Sequence, residues 1–281
     1  MTAATTRLPA QEAVRSRAAS ENFSVASLLL GARTREHLLA VYDFARYVDE
    51  LGDSLEGDRL AALDDAAQQV DLAFAGRATA PVFRQLSHTI HACALSRGPF
   101  LRLIEANRRD QLHHDYGTWD ELLAYCELSA NPVGELVLEV FGAKTSERLA
   151  LSDDVCTALQ VIEHLQDVGE DAGRGRIYLP REHRSELGVT PDDLAAPTAG
   201  EPLRRLVAQE AERARALLDS GTQLVRSLHG RARLAVAGYV GGGRAQLVAL
   251  ERAGYDVLSS TPRASKGLRV RTTLALLREA R

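Results

Sequence analysis

Apolar residues recur along this chain with the period of a helix. Leucine, alanine, arginine and glutamate are abundant, and the strand-like alternation of β-branched residues is nearly absent. Positions three and four apart share one face of a helix, so this rhythm marks amphipathic helices. It predicts helices near 34–53, 58–75, 80–95, 98–114, 119–130, 133–142, 153–171, 201–228, 231–253 and 263–279. Thr118 with Glu121 forms a capping-box pattern, and Ser152 stands where it could cap the next helix. Breaks fall at Asn131-Pro132 and at Gly173-Arg174-Gly175. Segment 185–202, with Pro191, Pro197, Gly200 and Pro202, reads as a surface excursion, because helical pattern resumes on both sides. The expectation is an all-α fold: a single domain over residues 20–281, preceded by a loosely ordered segment, 1–19.

Length and composition narrow the picture. A chain of 281 residues can bury a sizeable core. Its net charge of −4 is modest, and no contiguous basic block suggests nucleic acid. Cys93, Cys126 and Cys156 lie far apart without CxxC spacing, which disfavours a zinc site or a disulfide framework and makes the cytosol the natural compartment. The first twenty residues lack the apolar core of a secretory signal, and no run approaches the roughly 18 apolar residues of a spanning helix. Peripheral contact with a membrane stays open.

Two polar stripes interrupt the apolar helices. Tyr42, Arg46, Asp49 and Asp53 follow a 4-3-4 spacing; so do Gln160, His164, Asp167 and Asp171, with Glu163 and Glu170 beside them. Eleven residues at about 3.6 per turn return to nearly the same line, so each stripe shares one helix face. Apolar neighbours, among them Leu38, Val41, Val48, Val161 and Leu165, point that face inward. Carboxylates stacked at i and i+4 repel. Two such pairs in apolar surroundings suggest a hard divalent cation, and Mg2+ favours a few carboxylates with phosphate oxygens. The other reading of such a pair is a solvated surface. A di-iron carboxylate bundle would require Glu-x-x-His pairs, which the chain lacks.

The stripes sit in recognisable motifs. Residues 42–53, YDFARYVDELGD, resemble the first aspartate-rich motif of the squalene/phytoene synthase family, and residues 160–171, QVIEHLQDVGED, resemble the second. The run GRGRIYLP at 173–180 resembles the family's segment after its second motif. Within the family the chain is most similar to the hydroxysqualene synthase branch of bacterial hopanoid pathways. Three places carry that likeness: Glu21-Asn22-Phe23, the SANPVG run at 129–134, and Gly241-Gly242-Gly243, where condensing members tend to carry a tyrosine, at Gly243. Condensing relatives commonly have Asn and Arg where this chain has Glu163 and Gln166. An added carboxylate and a lost cation suit a substrate with one diphosphate.

The resemblance implies the isoprenoid synthase fold and a Mg2+-dependent conversion of presqualene diphosphate to hydroxysqualene. The alternative it leaves open is condensation of two farnesyl diphosphates to presqualene diphosphate, squalene or dehydrosqualene. It implies metal binding by Asp49, Asp53, Asp167, Asp171 and Glu170, and catalytic parts for Tyr42, Arg46, Asp49, Tyr125 and Asp167. It implies substrate contacts from Phe23, Arg46, Gln160, Glu163, Arg174, Arg176, Arg263 and Lys266. Phe23, Phe44, Leu38 and Val133 are candidates for an apolar wall around a cation. The implied partners are an isoprenoid diphosphate and other squalene-pathway enzymes.

Overall fold

A computed structural model describes residues 30–281, and its regular elements are helices throughout. They are α1 (Ala32–Asp53), α2 (Arg59–Phe74), α3 (Pro81–Cys93), α4 (Gly98–Arg109), α5 (Trp119–Ser129), α6 (Asn131–Val140) and α7 (Ser146–Gln166). Then come α8 (Val168–Gly173), α9 (Arg181–Leu187), α10 (Pro191–Leu194), α11 (Glu201–Leu218), α12 (Ser220–Ser227), α13 (Gly230–Arg252) and α14 (Lys266–Glu279). No strand forms among the described residues; one isolated bridge joins Asp115 to Ile177.

The apolar faces converge on two large cores. One gathers Val41, Phe44 and Val48 of α1 with α2, α3, α4 and Leu136 of α6. The other gathers Tyr125 of α5, Leu138 of α6 and Val161, Ile162 and Leu165 of α7 with α11–α13. Neighbouring residues of α6 therefore feed different cores. Each fully buried Leu or Phe contributes roughly 1.5–3 kcal/mol, so these clusters fix how α1 stands relative to α7.

Local chemistry explains where the elements start and stop. Thr118 accepts a bond from the Glu121 amide, while the Glu121 carboxylate reaches back to the Gly117 amide rather than to Thr118. Ser152 does not cap the helix of the second motif. It lies buried inside α7, which begins earlier because the Thr145 hydroxyl accepts from the Arg148 amide. That helix also stops short of the motif's end. Asp167 leaves helical geometry, and α8 restarts at Val168, although the Asp171 amide still donates to the Asp167 carbonyl at 2.8 Å. Segment 185–202 contains α10 and the end of α9. The long run near 201–228 divides at Asp219 into α11 and α12.

Gly134 lets α6 approach α7. A methyl group there would come within 2.4 Å of the Ser152 Oγ and 2.5 Å of the Cys156 Sγ. No helix among the described residues is long and apolar enough to cross a membrane.

Candidate active site

A cleft of about 220 Å³ opens between the two cores. Asp49 and Asp53 reach it from the end of α1; Gln160, Glu163 and His164 reach it from α7; Asp167 and Asp171 line it at the junction of α7 and α8. Arg174, Arg176 and Tyr178 enter from the segment after α8. The two motifs, more than a hundred residues apart in sequence, thus share one wall-to-wall site. Arg176, just past the second motif, ties it to the first: its amide donates to the Asp171 carbonyl at 2.9 Å and its guanidinium to the Asp53 carboxylate at 2.7 Å.

Residues outside the motifs complete the floor. Asn107 of α4 donates to Asp49 at 3.3 Å, and Gln111 donates to the Gly52 and Asn107 carbonyls. Asp110, just past α4, is buried; the Tyr125 hydroxyl donates to it at 2.7 Å and the Tyr178 hydroxyl at 3.4 Å. Tyr178 stacks on His164 with ring centres 3.8 Å apart. The His164 ring is 3.1 Å from the Gln160 amide and 3.9 Å from Asp171, a packed and hydrogen-bonded arrangement. Asn107 carries no sequence signal that singles it out, Asp110 matches an aspartate typical of the family with a structural part, and Tyr178 lies within the GRGRIYLP run. All three act through contacts distant in sequence.

Charge in the cleft is unbalanced. Its lining includes six carboxylates (Asp49, Asp53, Asp110, Glu163, Asp167, Asp171) against two guanidinium groups. Asp49 is recessed among protein atoms, though the mouth leaves 46% of its side chain accessible. Loss of solvent pushes its carboxyl up to about 6, with Asp53 and Glu163 adding repulsion and Arg46 and Asn107 opposing. Burial likewise raises Asp167, with the charges of Asp171 and Glu170 reinforcing it. Burial raises Asp110, and the Tyr125 bond and Arg176 work against that shift. Burial disfavours the charge on Arg176, yet its bond to Asp53 holds it above its ordinary value.

Other expected residues stand further off. Arg46 ion-pairs with Asp49 at 3.7 Å and meets the cleft through it. Tyr42 is half-buried one turn further from the cleft. Arg174 lines the cleft but pairs with Glu170 at 2.7 Å, both well exposed. Glu170 itself faces a neighbouring cavity of about 550 Å³ behind α8. Gln166 lines that second cavity too and donates to the Pro262 carbonyl at 2.8 Å. Gln166 therefore does not line the cleft, whereas Glu163 does. Arg263 is exposed but near enough to favour the ionised form of Asp167; Lys266 is exposed on the first turn of α14. Phe23 lies outside the described residues. Phe44 does not wall the cleft: it is fully buried, edge-on to Phe83 and Phe100. Leu38 is buried in a smaller cluster with Leu30, Val137 and Ala235, and Val133 packs against the first core. Gly243 is packed against Leu159 and Leu218, which fill the room a larger side chain would need.

The squalene/phytoene synthase family model matches residues 16–272. The chain belongs to the squalene/phytoene synthase family. Among curated proteins it is 38% identical to hydroxysqualene synthase of Zymomonas mobilis subsp. mobilis over 221 residues, 74% of this chain and 71% of that one. It is 34% identical to hydroxysqualene synthase of Rhodopseudomonas palustris, again covering 74% and 71%. Among solved structures, squalene synthase HpnC from Alicyclobacillus acidocaldarius shares 48% identity, with a TM-score of 0.80 over 87% of this chain and 94% of that one. A dehydrosqualene synthase superposes at a TM-score of 0.86, covering 94% and 93%; at 24% identity this likeness concerns the fold. The fold is the isoprenoid synthase fold, and the family handles isoprenoid diphosphates.

The donor chemistry of the cleft fits Mg2+. Among the described residues no three His, Cys, Asp or Glu side chains converge into a ready-made cage. Each aspartate pair supplies two hard oxygen donors, the number Mg2+ uses when waters and phosphate oxygens complete its octahedron. A wall of six carboxylates would otherwise repel an anionic substrate.

Proposed function

We propose that this chain is a Mg2+-dependent hydroxysqualene synthase, acting as one unit over residues 20–281 and converting presqualene diphosphate and water to hydroxysqualene and diphosphate. The observation that carries the reading is the pair of opposed aspartate pairs, with Glu163 as a further carboxylate. It is supported by the hydroxysqualene synthases at 33–38% identity. Asp49 and Asp53 on one side, and Asp167 and Asp171 on the other, would hold the metal. Mg2+ bound there would neutralise charge growing on the departing diphosphate.

The chain's own groups do the rest. Arg176 and Arg174 offer planar forks of donors to diphosphate oxygens, and Arg176 can exchange its bond to Asp53 for the substrate. Arg263 adds positive potential at the rim. The carbon–oxygen bond breaks heterolytically and the electron pair leaves with diphosphate. The cyclopropylcarbinyl cation left behind rearranges; a water oxygen then bonds to the carbon and loses its proton. No hydride is consumed. Tyr125 is fixed by Asp110, and burial raises its hydroxyl well above the ordinary range. A neutral phenol held in that way offers a π face to the cation and no premature base.

Mass spectrometry of products after separate incubations with presqualene diphosphate and farnesyl diphosphate, each with Mg2+, tests the assignment. A C30 alcohol from the first and no turnover of the second is expected. Consumption of farnesyl diphosphate with release of a C30 hydrocarbon would assign the chain to the condensing branch instead.

A further inference from the structure

The end of the chain carries a charge that the rest does not. Residues 221–281 hold eleven Arg or Lys against three Asp or Glu, a net of +8; the whole chain is −4, so the 220 residues before them hold −12. A split of this size between two parts of one sequence points to an anionic surface as partner. No run of consecutive basic residues produces it, which is why the sequence alone shows no basic block.

The structure gathers part of that excess on one face. α14 packs against α13, burying Leu268 and Leu276. Lys266, Val270, Arg271, Leu274, Arg278 and Arg281 are left exposed, and from 270 onward they follow a stripe three to four residues apart. Val270 and Leu274 are 46% and 48% exposed, two of the four large apolar side chains that stand out from the described surface. Of the three acids in this segment, Glu279 pairs with Arg244 at 2.6 Å and Asp256 with Arg204 at 2.8 Å. The exposed arginines of the stripe form no ion pair with a described residue. At the other end of the helix Arg263 and Arg269 crowd each other, and the Arg269 Nε is buried without a partner.

We propose that this face of α14 docks on an anionic lipid bilayer, with Val270 and Leu274 entering the acyl boundary and Arg271, Arg278 and Arg281 meeting headgroup phosphates. A helix lying in an interface needs an apolar strip flanked by cations, not a membrane-spanning length. A second copy of the chain fits poorly, because a two-fold contact would set like charges against like. A nucleic acid would make no use of the exposed valine and leucine.

Vesicle flotation of the full chain tests this without reference to catalysis. Phosphatidylcholine vesicles carrying about 30% phosphatidylglycerol are compared with pure phosphatidylcholine. Binding to the anionic vesicles at least about tenfold stronger is expected, weakening as added salt shortens the screening length. Arg271→Gln with Arg278→Gln, and separately Val270→Ser with Leu274→Ser, should each reduce that binding at least about tenfold. Leu112→Ser, exposed elsewhere, should not, and circular dichroism should show all variants folded. Equal binding to both vesicle types would overturn the proposal. So would indifference to the α14 substitutions, or a dimer in light scattering that the Val270/Leu274 variant dissociates while no vesicle binding is seen.

Discussion

At the scale of single residues, burial disfavours the charged form of three carboxyl groups in the cleft, Asp49, Asp110 and Asp167. Asp49→Asn or Asp167→Asn removes one oxygen donor from the proposed Mg2+ site while leaving shape and packing nearly unchanged. Steady-state turnover should fall about 10²–10³-fold or more, in line with loss of one preorganised electrostatic contact, with helical content unaltered by circular dichroism. Protons and metal compete for the same oxygens. The Asp49 carboxyl titrates near 6, above the value it would have in an unfolded chain. The folded state therefore binds the extra proton between roughly pH 4 and 6, and its stability falls as pH rises through that window. Mg2+ bound at the proposed site would recover what ionisation costs. The rise in melting temperature on adding Mg2+, measured by calorimetry, should be larger at pH 8 than at pH 5. An equal rise at both would place the ion elsewhere. The motifs were legible here because i, i+4 spacing writes each stripe into the sequence. The contacts of Asn107 and Tyr178 were not, because these residues meet Asp49 and Asp110 only after α1, α4 and the post-α8 segment are assembled.

At the scale of elements, most helices could be read from periodicity, and their ends follow side-chain chemistry that periodicity does not carry. Thr145 starts α7 well before Ser152, since a threonine ahead of a polar first turn has no apolar rhythm to announce it. The break at Asp167 is invisible in the pattern because the Asp171 amide keeps its bond to the Asp167 carbonyl. Close approach is equally hard to see in advance. At Gly241 an added methyl would lie 2.7–2.8 Å from the Thr273 Cα and backbone nitrogen, so α13 and α14 would have to separate; at Gly243 it would meet the movable end of Leu159. Gly241→Ala should cost about 1–3 kcal/mol of unfolding free energy, and more than Gly243→Ala, as chemical denaturation would report. The reverse order would show that α14 is loosely attached.

At the scale of the molecule, two cores place two acidic motifs on opposite walls of one cleft, and α6 contributes neighbouring residues to both cores. The all-α class and the pairing of the motifs were legible from sequence; the division into two cores was not, because apolar periodicity says which face is buried and not against what. The central physical claim is that this carboxylate-rich cleft accepts a diphosphate only once Mg2+ has filled it. Isothermal titration of inorganic diphosphate into the protein, with and without Mg2+, measures that directly. Binding in the presence of Mg2+, little or none in its absence, and a loss of about 100-fold or more in Asp49→Asn and in Asp167→Asn are the predicted results. Diphosphate binding of equal strength without the metal, or unchanged by either substitution, would contradict the account.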